Sequence, residues 1–310
     1  MHIDHEKFES ILTKMTRVFG YIKVIFLLLN LVGMIAPSMA EEVMKVTYPA
    51  DEEPGDPRFK DVKEILRLAL ERTVPEYGPF HMRASTQQTN GLRYLSNLAR
   101  EDDLNVVWSS TTIEKERNYL PIRIPLRKGI MGYRLLLVHR DKLELFREIK
   151  TLEDLRKFSF GQGVGWDDIK LYKLHGISVV EAKYSNLFRM LGYQRFDAFP
   201  RGINEIFNEF EKEASANPDL RIEENVLIYY PWPYYFFVAQ SNTKLRDRLE
   251  LGLRKMLKDG SFDAIFWKYN GKAIDQANLK RRHVIYIKNH LLPKETPIND
   301  ASLWYRPKLN

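Results

Sequence analysis

The chain has 310 residues, 44% hydrophobic and 29% charged, with 16 Gly, 15 Pro and no Cys, which excludes collagen-like, low-complexity and disordered chains. The lack of Cys removes disulfide scaffolds, thiolate zinc sites, iron–sulfur clusters and a cysteine nucleophile. Forty-eight Lys and Arg against 41 Asp and Glu give a net charge of +7, but acids interleave with the basic residues, so no stripe for nucleic acid is marked and no nucleic-acid partner is expected.

In chain order, residues 1–40 read as a secretory signal. Val24 to Ala36 is an uncharged apolar run of h-region length, too short to span a bilayer, and Arg17 and Lys23 form the basic n-region. Ser38-Met39-Ala40 offers small residues for a signal peptidase, so cleavage is expected after Ala40. Met15 is an alternative start, and an uncleaved anchor the alternative fate. Either way the body lies outside the cytoplasm. Glu41 to Asn310 keeps 44 basic and 38 acidic residues and is long enough to bury a core without staples.

Val43 to Tyr48 is a first strand, followed by a turn-rich segment through Pro57. Val62, Ile65, Leu66, Ala69 and Leu70 fall at helical spacing, as do Leu92, Leu95, Leu98 and Ala99. Strands are expected over Asn105 to Trp108 and Ile130 to Val138. A second set of units starts at Thr151, with strands over Phe158 to Gly161, Ser178 to Ala182, Phe196 to Phe199 and Val226 to Tyr230, separated by helical patterns. This alternation predicts βα units and largely parallel sheets. Pro233 to Gln240 is a long apolar strand, and Asn242-Thr243 caps an amphipathic helix that Asp259-Gly260 ends. Beyond Gly271 one strand-like run, Val284 to Ile287, precedes Pro293, Pro297 and Pro307, so the tail is expected to pack over the body as extended chain. Two long strands bracketing an inner block suggest a chain that leaves one lobe, builds a second and returns.

Some candidate chemistry is legible in these residues alone. Thr111-Thr112-Ile113-Glu114 has the form of a capping box, which would open a helix with its N–H groups facing outward. Arg117 could grip a carboxylate there in two-pronged fashion. An ordinary helix cap with a solvated arginine fits the same residues. Tyr48 and Trp108 could supply contact area or fill a core. Gly161-Gln162-Gly163-Val164-Gly165 followed by Trp166-Asp167 is a glycine turn into a helix, where backbone N–H groups could meet a polar ligand, and it also reads as a simple positive-φ turn. Its spacing is not a dinucleotide fingerprint. Seven His lack zinc-site spacing, and there is no nucleophile elbow or Walker loop. No metal, cofactor or catalytic residue is therefore expected.

Across about Val43 to Tyr269 the sequence resembles the family 3 periplasmic solute-binding proteins, the amino-acid type of ABC importers. The likeness rests on Ser109-Ser110-Thr111-Thr112 ending in Arg117, on Leu152-Glu153-Asp154-Leu155 followed by Gly161 to Gly165, on Leu191 to Phe199 with its Asp197-Ala198, and on Leu245 to Tyr269. The resemblance implies an α/β, two-lobed fold of periplasmic-binding type II with two crossover hinge strands. Lobe 1 would span 41–132 and 239–270, hinge strands and lobe 2 would span 133–238, and 271–310 would be a C-terminal extension. It further implies ligand-binding roles for Tyr48, Trp108, Ser110, Thr112, Arg117, Gly165, Trp166 and Arg201. Arg201 stands where the family has an aspartate for the ligand's ammonium, so two guanidiniums would favour a ligand with two anionic groups or one lacking a free amine, unless Glu205 restores the amine contact.

The implied function is a monomeric periplasmic binding protein of a Gram-negative cell, not an enzyme, that captures a small polar, anionic or amino-acid-like ligand for an ABC permease. A sensory module of the same fold working with a membrane sensor is the alternative. A lyase or dehydratase on this fold is the less favoured one.

Overall fold

The computed structural model describes residues 42–51, 57–87, 91–100 and 103–309. The expected signal segment lies outside the described residues. Val43–Asn310 forms one compact unit.

The chain first builds β1 (Met44–Tyr48), α1 (Lys60–Glu71), α2 (Val74–Tyr77), β2 (Phe80–Ala84), α3 (Gly91–Arg100), β3 (Val107–Ser110), α4 (Ile113–Asn118) and β4 (Leu120–Ile122). It then crosses to β5 (Tyr133–His139), α5 (Leu143–Arg147), α6 (Leu152–Leu155), β6 (Ser159–Gly163), α7 (Asp168–Leu174), β7 (Ser178–Ala182), α8 (Tyr184–Gly192), β8 (Ala198–Gly202), α9 (Ile203–Glu213), β9 (Leu220–Ile222) and β10 (Val226–Tyr229). It returns through β11 (Tyr234–Val238), α10 (Thr243–Asp259) and α11 (Ser261–Ala277), and ends with β12 (His283–Tyr286) and an extended tail.

The first lobe holds a parallel β1–β2 pair and an antiparallel sheet in the order β3-β11-β4. The second is a seven-stranded sheet in the order β12-β10-β5-β8-β6-β7, with β9 also on β5. The expectation of largely parallel sheets holds only in part. β6 lies parallel to β7 and β8, but β5 runs antiparallel to β8, β9 and β10. The two long strands bracketing the inner block are the reason, since each enters its sheet from the other lobe and against the local strand direction.

Strand alternation explains the cores. On β5, Leu135 and Leu137 face one apolar cluster and Leu136 and Val138 the other, so the second sheet is covered on both faces. The first lobe has its own cluster around Val62, Ile65, Trp108, Leu253 and Met256. The two crossings touch, because Tyr230 N–H donates to the Gly132 carbonyl at 3.2 Å and Leu126 N–H to that of Tyr234 at 2.9 Å. A Cβ on Gly132 would overlap the Tyr230 carbonyl oxygen, so only glycine allows the strands this close.

Gly260, with φ at +80°, ends α10 as expected from Asp259-Gly260. The helix after it runs unbroken past Gly271 to Ala277. α11 joins the two lobes, placing Phe262 and Ile265 in the first core and Phe266 and Ile274 in the second. The tail does the same. β12 extends the second sheet beside β10, the Leu291 carbonyl accepts from Ile113 N–H at 2.9 Å, Trp304 enters the first core, and Tyr305 and Leu309 return to the second. The Trp304 ring sits where a Cβ on Gly129 would lie, and Gly129 has φ of +69°.

Candidate functional site

The two lobes face each other across the β3–α4 junction of the first and the β6–α7 junction of the second. α4 starts one residue later than the capping-box spacing suggests. Thr112 is the N-cap, and its hydroxyl accepts from Lys115 N–H at 3.2 Å. Thr111 instead donates its hydroxyl to Glu116 at 2.7 Å.

That one-residue shift decides which cation faces the second lobe. The Lys115 ammonium donates to the Ser109 hydroxyl at 2.9 Å, to the Ser110 carbonyl at 3.1 Å and to the Asp167 carboxylate. Ser110 donates its hydroxyl to the same Asp167 oxygen at 2.6 Å. At about 100° per residue, a side chain two positions later points almost the opposite way. Arg117 is accordingly exposed and outside this group. Nearby, Lys170 and Glu114 form a second ion pair across the lobes at 3.2 Å.

Aromatic rings line both sides. From the first lobe, Trp108 lies 6.0 Å from Tyr48 and 5.5 Å from Phe59, and Phe59 stacks on Tyr234. From the second, Trp166 stacks on Phe199 and tilts against Tyr184. The Arg58 guanidinium bridges the walls, 5.7 Å from the Phe59 ring and 5.4 Å from that of Tyr184. Gly165, with φ of +81°, is an exposed turn residue that swings Trp166 and Asp167 into place.

Arg201 is 4% exposed, stacked over Trp166 at 4.8 Å and Phe199 at 5.0 Å. Both of its prongs are taken by Glu209 at 2.6 Å, and Glu205 lies 3.3 Å away. The Arg201 guanidinium is thus already matched by two carboxylates of its own lobe. Burial weakens the charged form of Arg201, but Glu205 and Glu209 outweigh it and hold the proton more tightly than usual. Burial pushes the Glu205 carboxyl up, and Arg201, Arg134 and Arg127 pull it further down, to a value below the ordinary one. Tyr184 donates to Glu209 at 2.8 Å, and burial followed by that carboxylate pushes its hydroxyl pKa up.

The remaining charges of this layer are also matched. Arg134 pairs with Asp168 at 2.7 Å, and Tyr230 donates its hydroxyl to the same oxygen at 2.7 Å. Arg127 pairs with Asp61 at 2.6 Å. Five cations, Arg58, Lys115, Arg127, Arg134 and Arg201, thus stand against five acids, Asp61, Asp167, Asp168, Glu205 and Glu209. Among the described residues no group of three or more His, Asp or Glu is placed to hold a metal ion.

Of the residues singled out from sequence, Tyr48, Trp108, Ser110, Thr112, Trp166 and Arg201 lie in this layer. Lys115, Asp167, Phe59, Tyr184 and Tyr234 were missed. Asp167 and Lys115 adjoin motifs that the sequence did mark, and Arg201-x-x-x-Glu205-x-x-x-Glu209 is a readable ladder of charges.

This architecture is that of the periplasmic binding proteins. No protein-family model and no curated protein sequence matches the chain, but solved structures do. An ancestral arginine-binding protein bound to arginine is 20% identical with a TM-score of 0.52, covering 73% of this chain and 97% of that one. A substrate-binding protein of an amino acid ABC transporter is 15% identical with a TM-score of 0.50, covering 74% and 99%. A histidine kinase sensor domain with similarity to periplasmic binding proteins is 17% identical with a TM-score of 0.52, covering 74% and 97%. Among the described residues no helix is long and apolar enough to cross a membrane.

Proposed function

We propose that this chain is an exported, monomeric solute-binding protein that closes its two lobes over a small amino-acid-like ligand, without turnover, and presents the closed form to an ABC-type permease. The observation carrying this reading is the meeting of Ser110 and Lys115 from one lobe with Asp167 from the other, between facing aromatic walls. A ligand carboxylate would take the place of Asp167 at the Ser110 hydroxyl and the Lys115 ammonium, with Tyr48, Trp108 and Trp166 supplying contact area. Because the layer's charges balance, the ligand is zwitterionic or neutral overall rather than doubly anionic. Closure follows when the ligand binds the closed arrangement more tightly than the open one.

The test is calorimetry on the purified exported form with a panel of zwitterionic amino acids and dicarboxylates. A zwitterionic ligand is expected to bind, and Lys115→Met to weaken it about tenfold or more. Preference for dicarboxylates, or binding indifferent to Lys115→Met and Ser110→Ala, would remove the reading.

A sensory role is the second reading, favoured by one feature. Asp167 closes the lobes with a carboxylate of the chain's own, so the closed form is available without a ligand. Co-purification of a membrane sensor, with no stabilising small molecule in thermal-shift screening, would support it over import.

A further inference from the structure

Residues 271–310 carry eight Lys and Arg against three Asp and Glu, which is five of the chain's seven net positive charges. Part of this segment lies beside an aromatic row that it completes with Tyr286 and Tyr305, while Arg282 is buried and bonded to backbone carbonyls. Ring centroids run from Trp267 to Tyr305 at 5.9 Å, on to Tyr133 at 5.8 Å, to Tyr229 at 4.5 Å and to Tyr286 at 5.8 Å. Both ends of the row are open to solvent, with Trp267 51% and Tyr286 64% exposed. Tyr133 in the middle is buried, and Tyr305, next to Trp267, also walls a cavity of about 310 Å³ between α11 and the tail, whose rim carries Lys280 and Lys308 and a single acid, Asp275. Arg281 and Arg306 are exposed beside these lysines in sequence.

We propose that this face docks on the surface of an anionic phospholipid bilayer. Trp and Tyr combine an apolar body with a polar tip, which suits the headgroup level of a membrane. Clustered Lys and Arg add attraction to anionic lipids within a Debye length of the surface. The cavity between Lys280 and Lys308 has the size and charge to seat a lipid phosphate. The exposed ends of the row, Trp267 and Tyr286, set how the protein lies against the membrane. This goes beyond solute capture and does not depend on it, since no residue of the cleft takes part.

The test is co-sedimentation of the Glu41–Asn310 form with vesicles of phosphatidylcholine, with and without phosphatidylglycerol. Binding is expected only when phosphatidylglycerol is present, and is expected to weaken as salt is raised. Lys280→Gln with Lys308→Gln should weaken it about tenfold, whereas Lys157→Gln with Lys173→Gln, exposed on the second lobe, should not. Brominated acyl chains should quench tryptophan emission in the parent and less in Trp267→Phe. No sedimentation with anionic vesicles, equal loss in both lysine pairs, or complete release by millimolar inorganic phosphate would overturn the proposal. The last result would mark a small-anion pocket instead.

Discussion

Two charge clusters sit within the same layer of this protein and behave as opposites. The Ser110–Lys115–Asp167 group is half-buried and made by two lobes, so it exists only when they meet. The Arg201–Glu205–Glu209 group is buried inside the second lobe, made by β8 and α9, and persists whether or not the lobes close. The resemblance assigned Arg201 of the second to a ligand and passed over Lys115 of the first. Only the first is placed where a ligand could exchange with a protein group, because breaking it exposes its members to water. Breaking the second would strand charges in the core.

The largest expected effect follows from that stranding. Arg201→Ala leaves Glu209 and Glu205 buried without their cation, and should cost about 3–5 kcal/mol of unfolding free energy by urea titration. Arg201→Lys should recover only part, because an ammonium cannot fill both prongs. If Arg201→Ala unfolds like the parent yet loses ligand, the cluster belongs to the cleft and the contrast fails.

Next comes pH. Glu205 has a folded pKa below its unfolded one, so its stabilisation is complete above about pH 4.3 and is lost as acid protonates the folded carboxyl. Stability should therefore fall on going below about pH 4.3, and Glu205→Gln should flatten that slope in denaturation curves taken at successive pH values.

The bridge between lobes should respond differently. Asp167→Asn is expected to change unfolding free energy by no more than about 1 kcal/mol, in line with partly exposed pairs. The same change should raise the ligand-free radius of gyration in solution scattering, as the closed form loses its tie. An unchanged radius would show that the tail and α11, which both join the lobes, hold them shut unaided. Smallest of all, Arg117→Ala should leave stability within about 0.5 kcal/mol and ligand affinity within about twofold, measured side by side with Lys115→Met.

Much of the fold was legible in the residues. The strand Ser178 to Ala182 lies where the alternation put it, and the crossing strands, the Gly260 break and Trp166 beside the glycine turn were all marked by local pattern. Short strands such as β2, β4 and β9 were not, since three to five residues carry too little periodicity and are fixed by their partners across the sheet. The site was read in outline, and the cation found between the lobes, Lys115, is not one the sequence marked. The sequence offers a capping box at Thr111, but the structure caps the helix at Thr112, and Lys115 rather than Arg117 meets the second lobe.

The sequence alone determined the alternating elements, the two long crossing strands and the neighbourhood of the cleft, because hydrophobic period and turn chemistry are local properties of the chain. Tertiary structure decided which charges cancel. Whether Asp167 reaches Lys115 depends on side chains 52 residues apart being brought together across two lobes, and no local pattern encodes that approach, whereas the partners of Arg201 lie only four and eight residues along the chain.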